Sequence, residues 1–217
     1  LTQQHQLSAF YAGGIETIPS QFDVVTLIHV LEHIAEPGVF LQALSACLSN
    51  SGSAIIQVPD ITSNYWDFAI FDHVSHFSPS ALFGLLSRYF RQVCFPAQQL
   101  AKEITVIVSN NSLQHSQPVQ ATISQPHQPF NHQLTLLLQL PQVYLMGTGP
   151  AACFCTSVLG EQVLGVLDED PTKIDKYLFG KKIYNAKNCC NAPVFLPYPL
   201  PQIEQIMQRL PQHEYIF

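Results

Sequence analysis

The sequence predicts an α/β protein, and three observations predict it. Apolar runs of strand length alternate with stretches of helical spacing. The strand–helix–strand order occurs once in each half of the chain. Of 217 residues, 47% are hydrophobic and 11% charged, against a usual charged share of about 25%, so a sizeable core can be buried. At roughly 150 residues per domain, the length allows one large domain or two small ones.

The first run, Phe22 to Leu31, is almost unbroken in apolar residues, which suits a parallel strand covered on both faces. Pro37 stands where the first residue of a helix would stand. Val39, Phe40, Ala43, Leu44, Cys47 and Leu48 follow at helical spacing, and Asn50-Ser51-Gly52 is expected to stop that helix. Ser53 to Val58 is the next strand, ended by Pro59. Ser78-Pro79 opens a second helix with Leu82, Leu85, Leu86 and Tyr89 on one face. Gln92 to Phe95 and Ile104 to Val108 are two further strands.

A stretch rich in Gln, Ser, Pro and His follows, and no Lys, Arg, Asp or Glu occurs from Ile104 to Gly160. It is expected to be a linker over 111–132, dividing the chain into domains 1–110 and 133–217. Beyond it, Phe130 to Leu140 is a short Leu-rich helix. Val143 to Met146 is a strand, Gly147-Thr148-Gly149-Pro150 a glycine turn and Ala151 to Leu159 a helix. Val163 to Leu167 is a strand ending at Asp168, and Pro201 to Leu210 is a last helix. Both halves therefore pair mostly in parallel.

Several function classes fall away. The net charge is −6 with 9 Lys and Arg, so no basic block exists to neutralise phosphates, and no nucleic-acid partner is expected. No apolar run reaches the ~18–20 residues of a membrane span, and nothing after Leu1 has the pattern of a signal peptide. We expect a cytoplasmic protein. The 6 cysteines include no Cys-x-x-Cys pair, which argues for reduced core thiols rather than zinc. No Gly-x-Ser-x-Gly elbow points to a serine hydrolase.

Three constellations could carry chemistry. Gly147-x-Gly149-x-x-Ala152 follows a strand directly, and Asp168 ends the next strand about 20 residues on. Gly147 permits the tight turn, Gly149 lets backbone approach a phosphate, and Asp168 can accept from a ribose. Pro150 removes one N–H from that cradle, and a turn that binds nothing has the same pattern. His29, Glu32 and His33 stand at the carboxyl end of the first strand, where open parallel sheets bind ligands; a helix-entry loop is the plainer account. Asp72-His73 and His76 precede the second helix. An imidazole there, held by a carboxylate or a carbonyl, is equipped as a general base. The plainer account leaves His73 on the surface and His76 as a capping residue. No metal is expected on His29, His33, His73 and His76, because no carboxylate-rich cluster supports one.

These residues resemble a family. FDVVTLIHVLEHIAEPGVFLQALSACLSNSGSAIIQVP is similar to the fourth through fifth strands of class I S-adenosylmethionine-dependent methyltransferases. DHVSHFSPSALFGLLSRYF resembles the segment before their sixth strand. More narrowly, the halves together resemble sugar C-methyltransferases. There a methyltransferase domain precedes a Rossmann-like C-terminal domain, here matched by VYLMGTGPAACFCTSVLGEQVLGVLDEDPTKIDKYLFGKKIY and VFLPYPLPQIEQIMQRL. The resemblance implies a partial class I methyltransferase (Rossmann-like) sheet followed by a smaller Rossmann-like α/β domain. It implies S-adenosylmethionine as cofactor, lying along His29, Val30 and Leu31, with His33 near the sugar. His73 would be the base that takes a proton from the carbon beside a keto group, and Asp72, where the family has Glu, would orient it. A nucleotide-linked sugar would be held by Gly147, Gly149 and Asp168.

The sequence also departs from the family. Its N-terminal zinc module, the glycine-rich loop after the first strand and the acid ending the second strand have no counterpart in Leu1 to Gln21, and Gly13-Gly14-Ile15 stand where an acid near the adenine is common. The expectation is a truncated product that alone binds cofactor poorly or not at all. Its Val24 to Val30 strand would be an apolar edge needing a partner chain or self-association to cover it. Two rivals stay open: a non-catalytic module that binds a nucleotide-sugar, and an NAD-dependent dehydrogenase using the glycine turn.

Overall fold

The structure, a computed structural model, describes residues 9–19, 21–111, 127–188 and 190–217. The chain divides into two units. One takes Leu1–Val58 and Phe77–Thr122, the other Pro59–His76 and Ile123–Phe217. The segment 59–76, which follows a strand of the first unit, thus packs with the second.

In the first unit β1 (Phe22–Ile28) leads to a 3-10 turn (Leu31–His33) and helix α1 (Pro37–Cys47). Strand β2 (Leu48–Pro59) starts without any intervening loop. Asn50-Ser51-Gly52 therefore lies inside the strand and does not stop the helix, a correction to the expectation from turn residues. The reason is local. The β1–β2 register shifts between Phe22 and Val24, and a Cβ at Gly52 would stand 2.6 Å from the Phe22 carbonyl. Glycine marks a bulge here. Helix α2 (Pro79–Leu86) begins at Ser78, whose Oγ accepts from the Ala81 N–H at 3.2 Å; such a cap contributes about 1 kcal/mol. Strands β3 (Gln92–Cys94) and β4 (Glu103–Ser109) pair antiparallel.

The sheet order is β1-β2-β4-β3, with β1 parallel to β2. Leu41, Leu44, Leu82 and Leu86 of the helices pack with Ile56, Val58, Val106 and Val108 of the strands. Only one face of β1 joins this core. Leu27 is buried, whereas Val24 is 65% and Ile28 48% exposed, so the expectation of a strand covered on both faces does not hold. On its outer edge β1 pairs with no strand among the described residues.

The second unit opens with a 3-10 helix (Tyr65–Ala69) and continues with α3 (His127–Gln139). Of the expected 111–132 linker, 112–126 lie outside the described residues, and 127–132 belong to α3. Then come β5 (Val143–Met146), α4 (Pro150–Leu159), β6 (Val163–Asp168), β7 (Tyr177–Leu178), β8 (Lys181–Asn185), β9 (Val194–Phe195), α5 (Leu200–Arg209) and β10 (Tyr215–Ile216). The sheet order is β10-β9-β5-β6-β8-β7, parallel throughout except for β7. Neighbouring residues along a strand feed opposite faces. Leu145, Val166 and Phe195 meet Trp66, Leu137 and Cys155 on one side; Met146, Leu167 and Val194 meet Ile203 and Ile206 on the other. Both faces are covered, as a parallel sheet requires. This is a doubly wound, Rossmann-like α/β arrangement. No helix of the described residues is long and apolar enough to cross a membrane.

Candidate functional site

The first unit presents its polar groups just beyond β1. His29 follows the strand with φ 52, a left-handed backbone uncommon for a residue with a side chain. Its N–H donates to the Gln57 carbonyl at 3.0 Å. Its Nδ1 lies 3.1 Å from Oε1 of Glu32, and its Nε2 3.5 Å from Oε2 of Glu103. Glu32 is fully buried, and its Oε2 has no hydrogen-bond partner among the described residues. Leu31 is fully buried, and Val30 is partly buried against the same core. His33 is exposed, at the end of the 3-10 turn.

In the second unit the geometry centres on a residue that sequence reasoning missed. Asp67, 1% exposed, accepts from two imidazoles: His73 Nδ1 at 2.7 Å on Oδ1 and His76 Nδ1 at 2.6 Å on Oδ2. The 3-10 helix Tyr65–Ala69 turns Asp67 inward, while Tyr65 donates to the Tyr198 carbonyl and Trp66 Nε1 to Gln133 Oε1 at 2.7 Å. His76 also packs edge-on against Phe68, with ring centroids 4.8 Å apart. A carboxylate only accepts, so each ring donates from Nδ1, and a neutral ring held this way has its lone pair on Nε2. That is the form in which an imidazole acts as a base. One carboxylate on His73 is thus Asp67. Asp72 sits in the exposed turn immediately before His73. The only sequence signal for Asp67 is an acid six residues ahead of a histidine, and that spacing carries no periodicity.

The glycine turn lies at a topological switch point of the second sheet. From β5 the order runs one way through β6 and β8 and the other way through β9 and β10. The loops after β5 and β9 therefore part, and ligands bind in such a crevice. The cleft there measures about 320 Å³ and is lined in part by Gly147, Gly149, Asp168, Lys173, Tyr198 and Arg209. Gly147 has φ 84, and a Cβ on it would collide with the Tyr198 hydroxyl. Gly149 is the N-cap of α4 and supplies no side-chain cap; a Cβ there would meet nothing within 4 Å, so its front is open. With Pro150 lacking an N–H, the free donors of this helix end are the next two backbone groups.

Asp168 is already engaged. Thr148 Oγ1 donates to it at 2.9 Å, the Asp170 N–H at 2.9 Å and Lys173 Nζ at 3.2 Å. Arg209 forks onto Glu169 at 3.3 and 2.7 Å. Burial, with Asp168 and Glu169 nearby, pushes the Tyr198 hydroxyl up to about 12, so it stays protonated and able to donate. Thr148, Lys173 and Tyr198 were not singled out by the sequence; Tyr198 is far from the turn in the chain. Among the described cysteines Cys47, Cys94, Cys153 and Cys155 are free thiols, and burial pushes that of Cys155 up to about 12.

The family model of a methyltransferase domain matches residues 2–90. Among solved structures, a SAM-dependent methyltransferase from Thermotoga maritima, described as a "possible histamine N-methyltransferase", is similar at 15% identity and a TM-score of 0.38. The match covers 45% of this chain and 61% of that one. No curated protein matches the sequence. Residues 2–90 are thus methyltransferase-like in sequence.

Proposed function

We propose that this is a methyltransferase-like protein of the kind that C-methylates a nucleotide-linked keto-sugar with S-adenosylmethionine. The observation that carries the reading is the His73 imidazole held through Nδ1 by buried Asp67, together with the methyltransferase match. Methylation at carbon needs a base, because a C–H beside a carbonyl must first lose its proton. His73 Nε2 takes that proton. S-adenosylmethionine, when bound, would supply the methyl group for the carbon so deprotonated, the S–CH3 bonding pair remaining on the sulfur of the thioether product. The reading assigns cofactor binding to His29, Val30 and Leu31, a catalytic role beside the sugar to His33 and support of the base to Asp72. Gly147, Gly149 and Asp168 hold the nucleotide end. The setting is cytoplasmic.

A second reading is a non-catalytic nucleotide-sugar-binding module, favoured by the open cleft at the switch point of the second sheet. Calorimetry separates the two. Heat with S-adenosylmethionine supports the enzyme. Heat with UDP-glucose or dTDP-glucose alone supports the module, and silence with all three sinks both.

The reading also includes a cover for Val24 to Val30, by self-association or a partner chain. Among the described residues no strand pairs with the outer edge of β1; such an edge offers N–H and C=O groups to another strand, and Val24 on this strand is 65% exposed. Light scattering on the purified chain is expected to give a mass above the monomer's. A stable monomer at high concentration counts against self-association.

A further inference from the structure

The two histidines on Asp67 differ in what the proposed chemistry asks of them, yet they are held alike. His73 Nδ1 lies 2.7 Å from Oδ1 and His76 Nδ1 2.6 Å from Oδ2. One carboxylate, 1% exposed, so takes a ring on each oxygen. We infer that Asp67 is a positioning residue for both rings, clamping His73 and His76 in the same Nδ1–H tautomer and turning both Nε2 atoms into acceptors. The inference deepens the proposed function, on which it rests for the role of His73; the tautomers themselves do not depend on it.

Neutral histidine in water favours the opposite tautomer, with the proton on Nε2. A donor that must satisfy a buried carboxylate reverses that preference, since an unmet buried anion is costly. Short, charge-assisted contacts of this length are the strong ones. The rings are also fixed in orientation. The His73 side chain is 9% exposed, and Phe68 packs on His76 at an interplanar angle of 63°. His76 then has more than a packing role. Its Nε2 is a second lone pair available to a hydroxyl or a bound water, set by the same anchor that sets the base.

An amide at position 67 separates this clamp from simple packing. Asn has nearly the shape of Asp, but one of its two terminal atoms accepts and the other donates. It can satisfy only one Nδ1–H. The other ring must present a lone pair from Nδ1 and move its proton to Nε2.

The test is long-range proton–nitrogen correlation NMR on the full chain labelled with 15N-histidine, at a pH where both rings are neutral. The variants His73→Gln and His76→Gln assign the signals. In the unmodified chain both rings are expected as Nδ1–H, and either one found as Nε2–H overturns the inference. In Asp67→Asn one ring is expected to change tautomer and the other to stay, and two unchanged rings overturn it as well. The first measurement decides even if the variant fails to fold. Turnover is not read at all, so a chain with the expected tautomers and no methyl transfer leaves the clamp standing and removes the proposed function. The reverse result removes the clamp alone.

Discussion

Replacing His73 by alanine is expected to lower methyl transfer by about 10²–10⁴-fold, the usual contribution of a positioned general base. The loss should fall on kcat, with nucleotide-sugar binding within a few-fold of the parent. A group that works only as the proton leaves contributes to the transition state and not to the ground state. Alanine also strips one donor from Asp67, which costs about 1–3 kcal/mol when the acceptor is buried. A second variant, His73→Asn, guards against mistaking that for lost chemistry. Its amide can still donate toward Asp67, but it cannot take a proton at neutral pH. Both variants should be equally slow, and the asparagine form the more stable. Turnover that survives in either removes His73 as the base. Assays use the chain under whatever conditions give measurable transfer from S-adenosylmethionine.

Gly147→Ala is expected to destabilise the second unit by about 3 kcal/mol, backbone strain and overpacking together, and to weaken nucleotide-sugar binding at least about tenfold. The causes are separable. The backbone at φ 84 penalises any side chain, and the added methyl would collide with the Tyr198 hydroxyl. Tyr198→Phe removes the second cause and keeps the first. In a double-mutant cycle the pair should couple by about 1 kcal/mol or more, because the two sites touch. The single tryptophan, Trp66, lies in the core of this unit, so its fluorescence during urea unfolding reports the right transition. A Gly147→Ala chain as stable as the parent would show that the turn does not need its glycine.

Much of this architecture is legible in the sequence where apolar spacing and turn residues agree. Strand β1, helix α1 after Pro37, helix α2 after Ser78 and the β5–α4–β6 unit all follow from such agreement. Two kinds of feature escape. Very short strands carry no period: β9 is Val194–Phe195 and β10 Tyr215–Ile216, too brief for alternation to register. Turn residues mislead when a bulge needs them, as Gly52 does inside β2. At the candidate site, the histidines and the glycine turn are visible because their residue types are chemically marked. Asp67 is not, since only the folding of the Tyr65–Ala69 turn brings its carboxylate to His73 and His76. Tyr198 is hidden for the same reason, being placed over Gly147 by a loop that follows a different strand.

The chain leaves the first unit after Val58, enters the second, returns at Phe77 and departs again after Thr122. A single cut therefore cannot yield two intact halves. A fragment ending near residue 122 would carry Tyr65 and Trp66 without the sheet that buries them, and the complementary piece would miss two aromatic members of its interior and the Asp67 pair of rings. Dissecting this protein calls for excising 59–76 and grafting it ahead of α3, rather than for trimming at the Gln- and Pro-rich stretch that the eye picks first.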